Sequence, residues 1–204
     1  MGIKALIFDF GGVCTVGHLL KDFSLRLSAQ CSYSKDDIER VFREFDRPYE
    51  TGEISPEEFW GKFKHKLNLE LSMNELQKLF FGSYRINQDV LDLIKQSRNK
   101  YKTVLFTNNY QDLFEYIKQQ YDLSDYFDIL ISSSSMHLRK PEEVAYWYLL
   151  KRLGLIAEEC VFIDDKQKNI DSAKSLGING VVYGDFQQLK QELSLLGVDV
   201  GSGI

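Results

Sequence analysis

Asp9 closes an apolar run and is followed by glycines where a second carboxylate would be easy to place. The stretch ALIFDFGGVCTVG, residues 5–17, rises through Leu6, Ile7 and Phe8 to that one acid and then meets Gly11 and Gly12. Three more apolar runs end in small polar groups. VLF leads to Thr107, Asn108 and Asn109, ILI to Ser132–Ser135, and VFI to Asp164 and Asp165. A lysine, Lys140, stands before Pro141 in RKPEE. Carboxylates, a hydroxyl, an amide and an ammonium are the groups of metal-assisted and nucleophilic chemistry on an anionic centre. Each alone is ambiguous, because every strand turns polar on leaving a core and an acidic pair also serves as a turn or cap. Their repetition at the same end of successive apolar runs is harder to assign to turns.

The elements that must position them follow from hydrophobic patterning. Five short runs, residues 4–10, 102–109, 127–135, 160–165 and 180–185, read as strands. They are continuously apolar, as strands covered on both faces are. Helical patterns separate the later ones. They start at Gln111, start after Pro141 and stop at Gly154, and stop at Gly177. Strand and helix in alternation give a parallel sheet with crossover helices, whose strand carboxyl ends share one edge. One connection breaks the rhythm. Residues 14–101 carry five amphipathic helical segments, near 19–31, 35–45, 56–67, 74–84 and 88–99, with Ser34 and Ser55 as N-caps. The last returns to the sheet as a crossover; the rest form a helical insertion. The end, VDVGSGI, reads as frayed.

Four motifs in order, on four expected elements, carry a resemblance. LIFDFGG, FTNN, RKPEE and FIDDKQKNIDSAKSLG resemble the motifs of the haloacid dehalogenase superfamily of hydrolases. The insertion resembles that family's first class of helical cap, and ETGEISPEEFW a cap segment of its phosphatase-like members. The resemblance implies an α/β fold: a Rossmann-like parallel sheet of about five strands with helices on both faces and a small all-helical cap inserted after the first strand. It divides the chain into a core of residues 1–15 plus 86–204 and a cap of 16–85. It implies Asp9 as nucleophile, forming an aspartyl-phosphate, and Lys140 as the cation beside it. Thr107 and the Asn108 amide would hold phosphate oxygens. The metal would be Mg²⁺, bound by Asp9, the Gly11 carbonyl and Asp165, with Asp164 bound directly or through water. Asn169 would brace that loop.

Gly11 departs from the Asp-x-Asp pattern of the family's phosphatases, whose second acid protonates the leaving alcohol. A positioned general acid–base contributes about 10²–10⁴-fold, so its loss weakens a catalyst without abolishing it. The leaving group can be intrinsically good, His18 in the following turn can reach in, or substrate or water can carry the proton. The alternatives are a catalytically weak or inactive relative that binds a phospho-ligand or protein, and a 2-haloacid dehalogenase, which needs no proton donor. The acidic pair argues against the latter. In the cap, Arg47, Tyr49 and Glu50 are candidates to read a small phosphorylated substrate.

The whole chain sets the remaining bounds. Its 204 residues, formal charge −5 and 44% apolar content suit a packed core and give nucleic acid no basic face. The cluster KFKHK, residues 62–66, reads as a solvated helix face. No apolar run approaches the ~18 residues of a membrane span. No leader is visible, and three cysteines (Cys14, Cys31, Cys160) without CxxC spacing suit a reducing, cytoplasmic setting, as small buried residues. A monomer or weak homodimer is expected.

Overall fold

The computed structural model describes residues 2–199. Five strands, β1 (Ala5–Phe8), β2 (Lys102–Thr107), β3 (Ile129–Ser132), β4 (Cys160–Asp164) and β5 (Asn179–Val182), form one sheet of order β3-β2-β1-β4-β5. All four pairings are parallel. Successive residues of a strand point to opposite faces, and the apolar clusters divide accordingly. Leu6, Phe8, Leu105 and Ile163 belong to one core, with α5 (Gln88–Ser97), α6 (Gln111–Gln120) and α10 (Phe186–Leu195). Ala5, Ile7, Phe106 and Phe162 belong to a second, with α8 (Glu143–Leu153) and α9 (Gln167–Ser175).

The strands end earlier than the apolar runs suggest. Backbone pairing stops at Ser132, and Ser133–Met136 (α7) winds into one helical turn instead of extending the strand. Helix α8 starts at Glu143 rather than directly behind Pro141. Helix α10, capped by Asp185 accepting from the Gln187 and Gln188 amides, has no counterpart among the expected elements. The C-terminal stretch is not frayed throughout. Val198 is buried, and the Asp199 amide donates to the Tyr101 hydroxyl at 2.8 Å; residues 200–204 lie outside the described residues.

The insertion carries α1 (Leu19–Ser28), α2 (Lys35–Glu50), α3 (Pro56–Lys66) and α4 (Met73–Phe81). Ser34, Ser55 and Ser72 cap the last three by accepting from the amide three residues on. Helix α2 runs beyond its expected end at Phe45, through Pro48 to Glu50, which brings Tyr49 and Glu50 to the sheet. Ile38, Val41 and Phe42 are the buried stripe of α2. Around Phe42 pack Phe23, Phe59, Trp60, Phe63 and Phe80, mostly edge to face. Tyr110, just before α6, enters this aromatic cluster from below, stacked on Tyr49 at 4.4 Å. The two connections run antiparallel side by side, bridged at Thr15 and Ile86. Among the described residues no helix is long and apolar enough to cross a membrane.

Candidate active site

Strand register brings the acids together. Phe8 of β1 lies opposite Ile163 of β4 and Leu105 of β2. The next residues are therefore Asp9, Asp164 and Phe106, at the edge where the strands leave the sheet. The Asp9 amide donates to the Ile163 carbonyl at 2.8 Å, fixing the turn. One carboxylate oxygen from each of Asp9, Asp164 and Asp165 fits within 4.8 Å of the others.

Lys140 joins the cluster from the loop before α8. It is 1% exposed, with Nζ 3.0 Å from Asp9 Oδ1 and 2.7 Å from Asp164 Oδ2, and it donates to the Phe106 carbonyl at 2.9 Å. The Phe106 and Phe162 rings lie about it, centroids 5.4 and 5.0 Å away. Burial alone would pull its pKa down; Asp9 and Asp164 outweigh that and hold it above the usual lysine value. The ammonium stays charged. Burial pushes Asp9 up to about 6, with Lys140 opposing, so at neutral pH it is mostly carboxylate. Lys140 draws the Asp9 carboxyl toward its charged form, but desolvation exceeds that pull.

Asp164 is saturated. It accepts from Lys140, from Asn169 Nδ2 at 2.9 Å to each oxygen, and from the Lys166 amide at 2.9 Å. Asp165 is different: its Oδ1 is buried and has no hydrogen-bond partner. Burial raises its pKa, with Lys166 opposing. Asp9 Oδ1 takes the Phe10 amide at 2.7 Å as well as Lys140. An orphaned carboxylate oxygen facing two further carboxylates is a donor set of hard oxygens, which suits Mg²⁺. The two glycines serve differently. Gly12 has φ +82°, and a Cβ there would lie 2.6 Å from Asp165 Oδ2, so a side chain would displace that acid. Gly11 has φ −70° and ψ 119°, open to any residue, and a Cβ there meets nothing within 4 Å.

The other sequence candidates fall in several places. Thr107 is buried at the end of β2, opposite Ser132. Asn108 uses its side chain to frame the lysine: Oδ1 accepts from the Lys140 amide and Nδ2 donates to the Lys140 carbonyl, both at 2.9 Å. His18 is exposed and lines, with Gly12, Asp165, Asn87 and Tyr183, a cavity of about 510 Å³ beside the acids. Arg47 is exposed and pairs with Glu142 at 2.8 Å. Tyr49 is buried in stacks with Phe59 and Tyr110, which excludes it from stacking on a ligand. Glu50 is buried, paired with Arg139 at 2.8 Å and with Asn108 Nδ2 at 3.3 Å. Burial pushes it up to about 7 against the pull of Arg139. Arg139 and Lys166 were not among the sequence candidates. Their signal was adjacency alone, to Lys140 and Asp165.

Three comparisons bear on this arrangement. Residues 3–177 match the family model of haloacid dehalogenase-like hydrolases. A sesquiterpene phosphatase of Aspergillus oryzae is 26% identical over 197 residues, covering 95% of this chain and 96% of its own. A D-ribitol-5-phosphate phosphatase of Bacteroides thetaiotaomicron is 25% identical over 208 residues, covering 95% and 98%. A crystal structure of a haloacid dehalogenase-family enzyme from that organism, in complex with magnesium and inorganic phosphate, superposes with TM-score 0.79 at 24% identity, covering 92% of this chain and 99% of that one. With the sheet, the ordered motifs and a match over most of its length, the chain belongs to the haloacid dehalogenase-like hydrolases.

Proposed function

We propose that this hydrolase is a Mg²⁺-dependent phosphatase of small phosphorylated compounds, working through an aspartyl-phosphate. The observation that carries the reading is the buried Lys140 ammonium bridging Asp9 and Asp164 beside the unpartnered oxygen of Asp165. The named phosphatases among its relatives point the same way. In this reading residues 16–85 are a substrate-reading cap over a catalytic body of 1–15 and 86–204. Asp9, the Gly11 carbonyl and Asp165 would hold the metal, with Asp164 behind them. When bound, the metal supplies charge neutralisation for an anionic substrate.

The chain's own residues account for the rest. Asp9 is a carboxylate at neutral pH, and its Oδ2 makes no hydrogen bond among the described residues, so it is available to attack phosphorus. Lys140 screens the attacking carboxylate from the phosphate dianion and, being anchored on three oxygens, needs no reorganisation as charge develops. The Thr107 hydroxyl and the Asn108 backbone amide, at the end of β2, would hold phosphate oxygens. The saturated Asp164 fixes Lys140 and the start of α9 rather than reacting. Displacement of halide from carbon would not require a second and third acid, and the Asp164–Asp165 pair disfavours it.

The test is phosphate release from a panel of phosphate esters, with Mg²⁺ and with EDTA. Release that EDTA stops and Asp9→Asn abolishes is the expected result. Chloride release from 2-chloropropionate, indifferent to EDTA, would replace this reading with dehalogenation.

A further inference from the structure

Helix α8 carries an outward face unlike that of α9 beside it. Its inner residues Ala145, Tyr146, Leu149, Leu150 and Leu153 close the second core, as amphipathic patterning requires. Yet Val144, Trp147 and Tyr148 stand 53, 56 and 41% exposed. Their spacing of i, i+3 and i+4 puts them on one side of the helix, continued a turn further by the exposed Lys151. Helix α9 packs on the same core, and its exposed residues Gln167, Lys168, Asp171, Lys174 and Ser175 are all polar. Other large apolar residues at the surface, such as Leu25 and Leu195, stand singly on their helices. Single ones need no explanation, whereas a contiguous apolar stripe marks a contact surface. Tryptophan and tyrosine are also the side chains that interfaces concentrate.

We infer that this stripe is where a second copy of the chain docks, α8 against α8, antiparallel about a two-fold axis at Trp147. The charges select that occupant. Glu143 stands four residues before Trp147 and Lys151 four residues after it. Both are exposed, and neither forms an ion pair among the described residues. A two-fold axis at Trp147 reverses one helix onto the other. Each Glu143 then comes level with the second copy's Lys151, and the pair occurs twice, as in any self-complementary interface. A parallel pairing would set like charge against like. Between the charges Trp147 meets its own copy, flanked by Val144 and Tyr148. The Lys151 stem covers apolar surface while its ammonium reaches the rim. A partner of one charge would satisfy one end of the stripe; the chain itself supplies both. A stripe along one helix of three turns is smaller than the about 800 Å² per partner of a standard interface, so the dimer is reversible, with Kd on the order of micromolar.

The test is analytical ultracentrifugation of the full chain between about 1 and about 200 μM. The expected mass rises from one chain toward two across that range. Trp147→Glu raises the dimer Kd at least about tenfold, with an unchanged circular dichroism spectrum, because its side chain faces out of the core. Glu143→Lys and Lys151→Glu, each alone, set like charges against each other twice and also weaken pairing. Mixed in equal amounts, those two variants pair with each other and recover the parent Kd, since every contact then joins opposite charges. Should Trp147→Glu fail to fold, the charge variants still decide. A monomer at every concentration overturns the inference and leaves the stripe to a partner other than this chain. A dimer that Trp147→Glu does not weaken overturns it by placing the interface elsewhere. A mixture that associates no better than either charge variant alone overturns the antiparallel pairing. No readout uses turnover, so the result stands apart from the phosphatase reading.

Discussion

Two aspartates of the sheet body, the buried Asp164 and the half-buried Asp112, each gather several donors, yet they do opposite things. Asp112, in the first turn of α6, accepts from the Tyr49 hydroxyl, from Trp60 Nε1 at 3.0 Å and from Gln77 Nε2 at 2.9 Å. These come from α2, α3 and α4, so one carboxylate ties three helices of the insertion to the sheet. Nearby the Tyr110 hydroxyl donates to Asp46 Oδ1 at 2.6 Å. All its donors are neutral, and its oxygens are satisfied. Asp164 gathers an ammonium and stands beside Asp165, whose Oδ1 has no partner. A satisfied polar network makes a joint; a charged cluster with one oxygen unsatisfied makes a site that awaits a ligand. Both gather several hydrogen bonds on one carboxylate, and the balance of charge and of unfilled valence separates them.

That contrast can be broken most sharply at Asp9. Asp9→Asn should reduce phosphate release by more than about 10⁴-fold, since it removes the nucleophile, while circular dichroism shows an intact fold. At the joint the loss should instead be in stability. Asp112→Ala strands three donors and should cost roughly 3 kcal/mol, read as a lower urea midpoint, with kcat changed far less than the midpoint implies. If Asp112→Ala abolished turnover without loss of stability, the joint would have to be reclassified as part of the site.

Glu50 sharpens the comparison because it lies between the two regions. Its folded-state pKa of about 7 lies above the unfolded value of 4.5, so the folded form binds the proton more tightly. That contribution is complete below pH 4.5 and disappears as pH rises through about 7. Stability measured between those limits should therefore fall with pH by roughly 3 kcal/mol in the parent relative to Glu50→Gln, whose profile is flatter. Metal binding gives a smaller signal. Millimolar Mg²⁺ should raise Tm by a few degrees, about what 1–2 kcal/mol of linkage yields, and Asp165→Asn should remove the shift. Arg47→Ala should matter least. Its exposed pair with Glu142 is worth under about 1 kcal/mol, and a tenfold rise in KM would show instead that Arg47 leaves Glu142 to bind substrate.

Much of the site was legible in the sequence because parallel strands bring their carboxyl ends to one edge whatever lies between them. That Asp9, Thr107, Lys140 and the Asp164–Asp165 pair gather at that edge needed only strand ends and motif order. The joint was not legible. Asp112 meets partners 35, 52 and 63 positions away, and no local pattern in QDLFEY marks that aspartate over any other first-turn acid. The amphipathic pattern of α2 ends near Phe45, whereas the helix continues with Pro48 in its last turn to Glu50. Tyr49 and Glu50 were noticed for their chemistry, but the aromatic stack that claims Tyr49 depends on Phe59 and Tyr110 arriving from other elements.

The bridge between Thr15 and Ile86 carries one further consequence. The Val16 amide donates to Arg85 at 3.0 Å, and the Asn87 amide to Cys14 at 2.9 Å, so the chain departs from and returns to the same spot. Whatever is threaded between those two points leaves the alignment of β1 and β2 undisturbed, and a longer excursion adds little entropic cost. Such a seam lets the helices between its two ends be exchanged as one block, provided their contacts to Tyr110, Asp112, Arg139 and Glu142 are rebuilt.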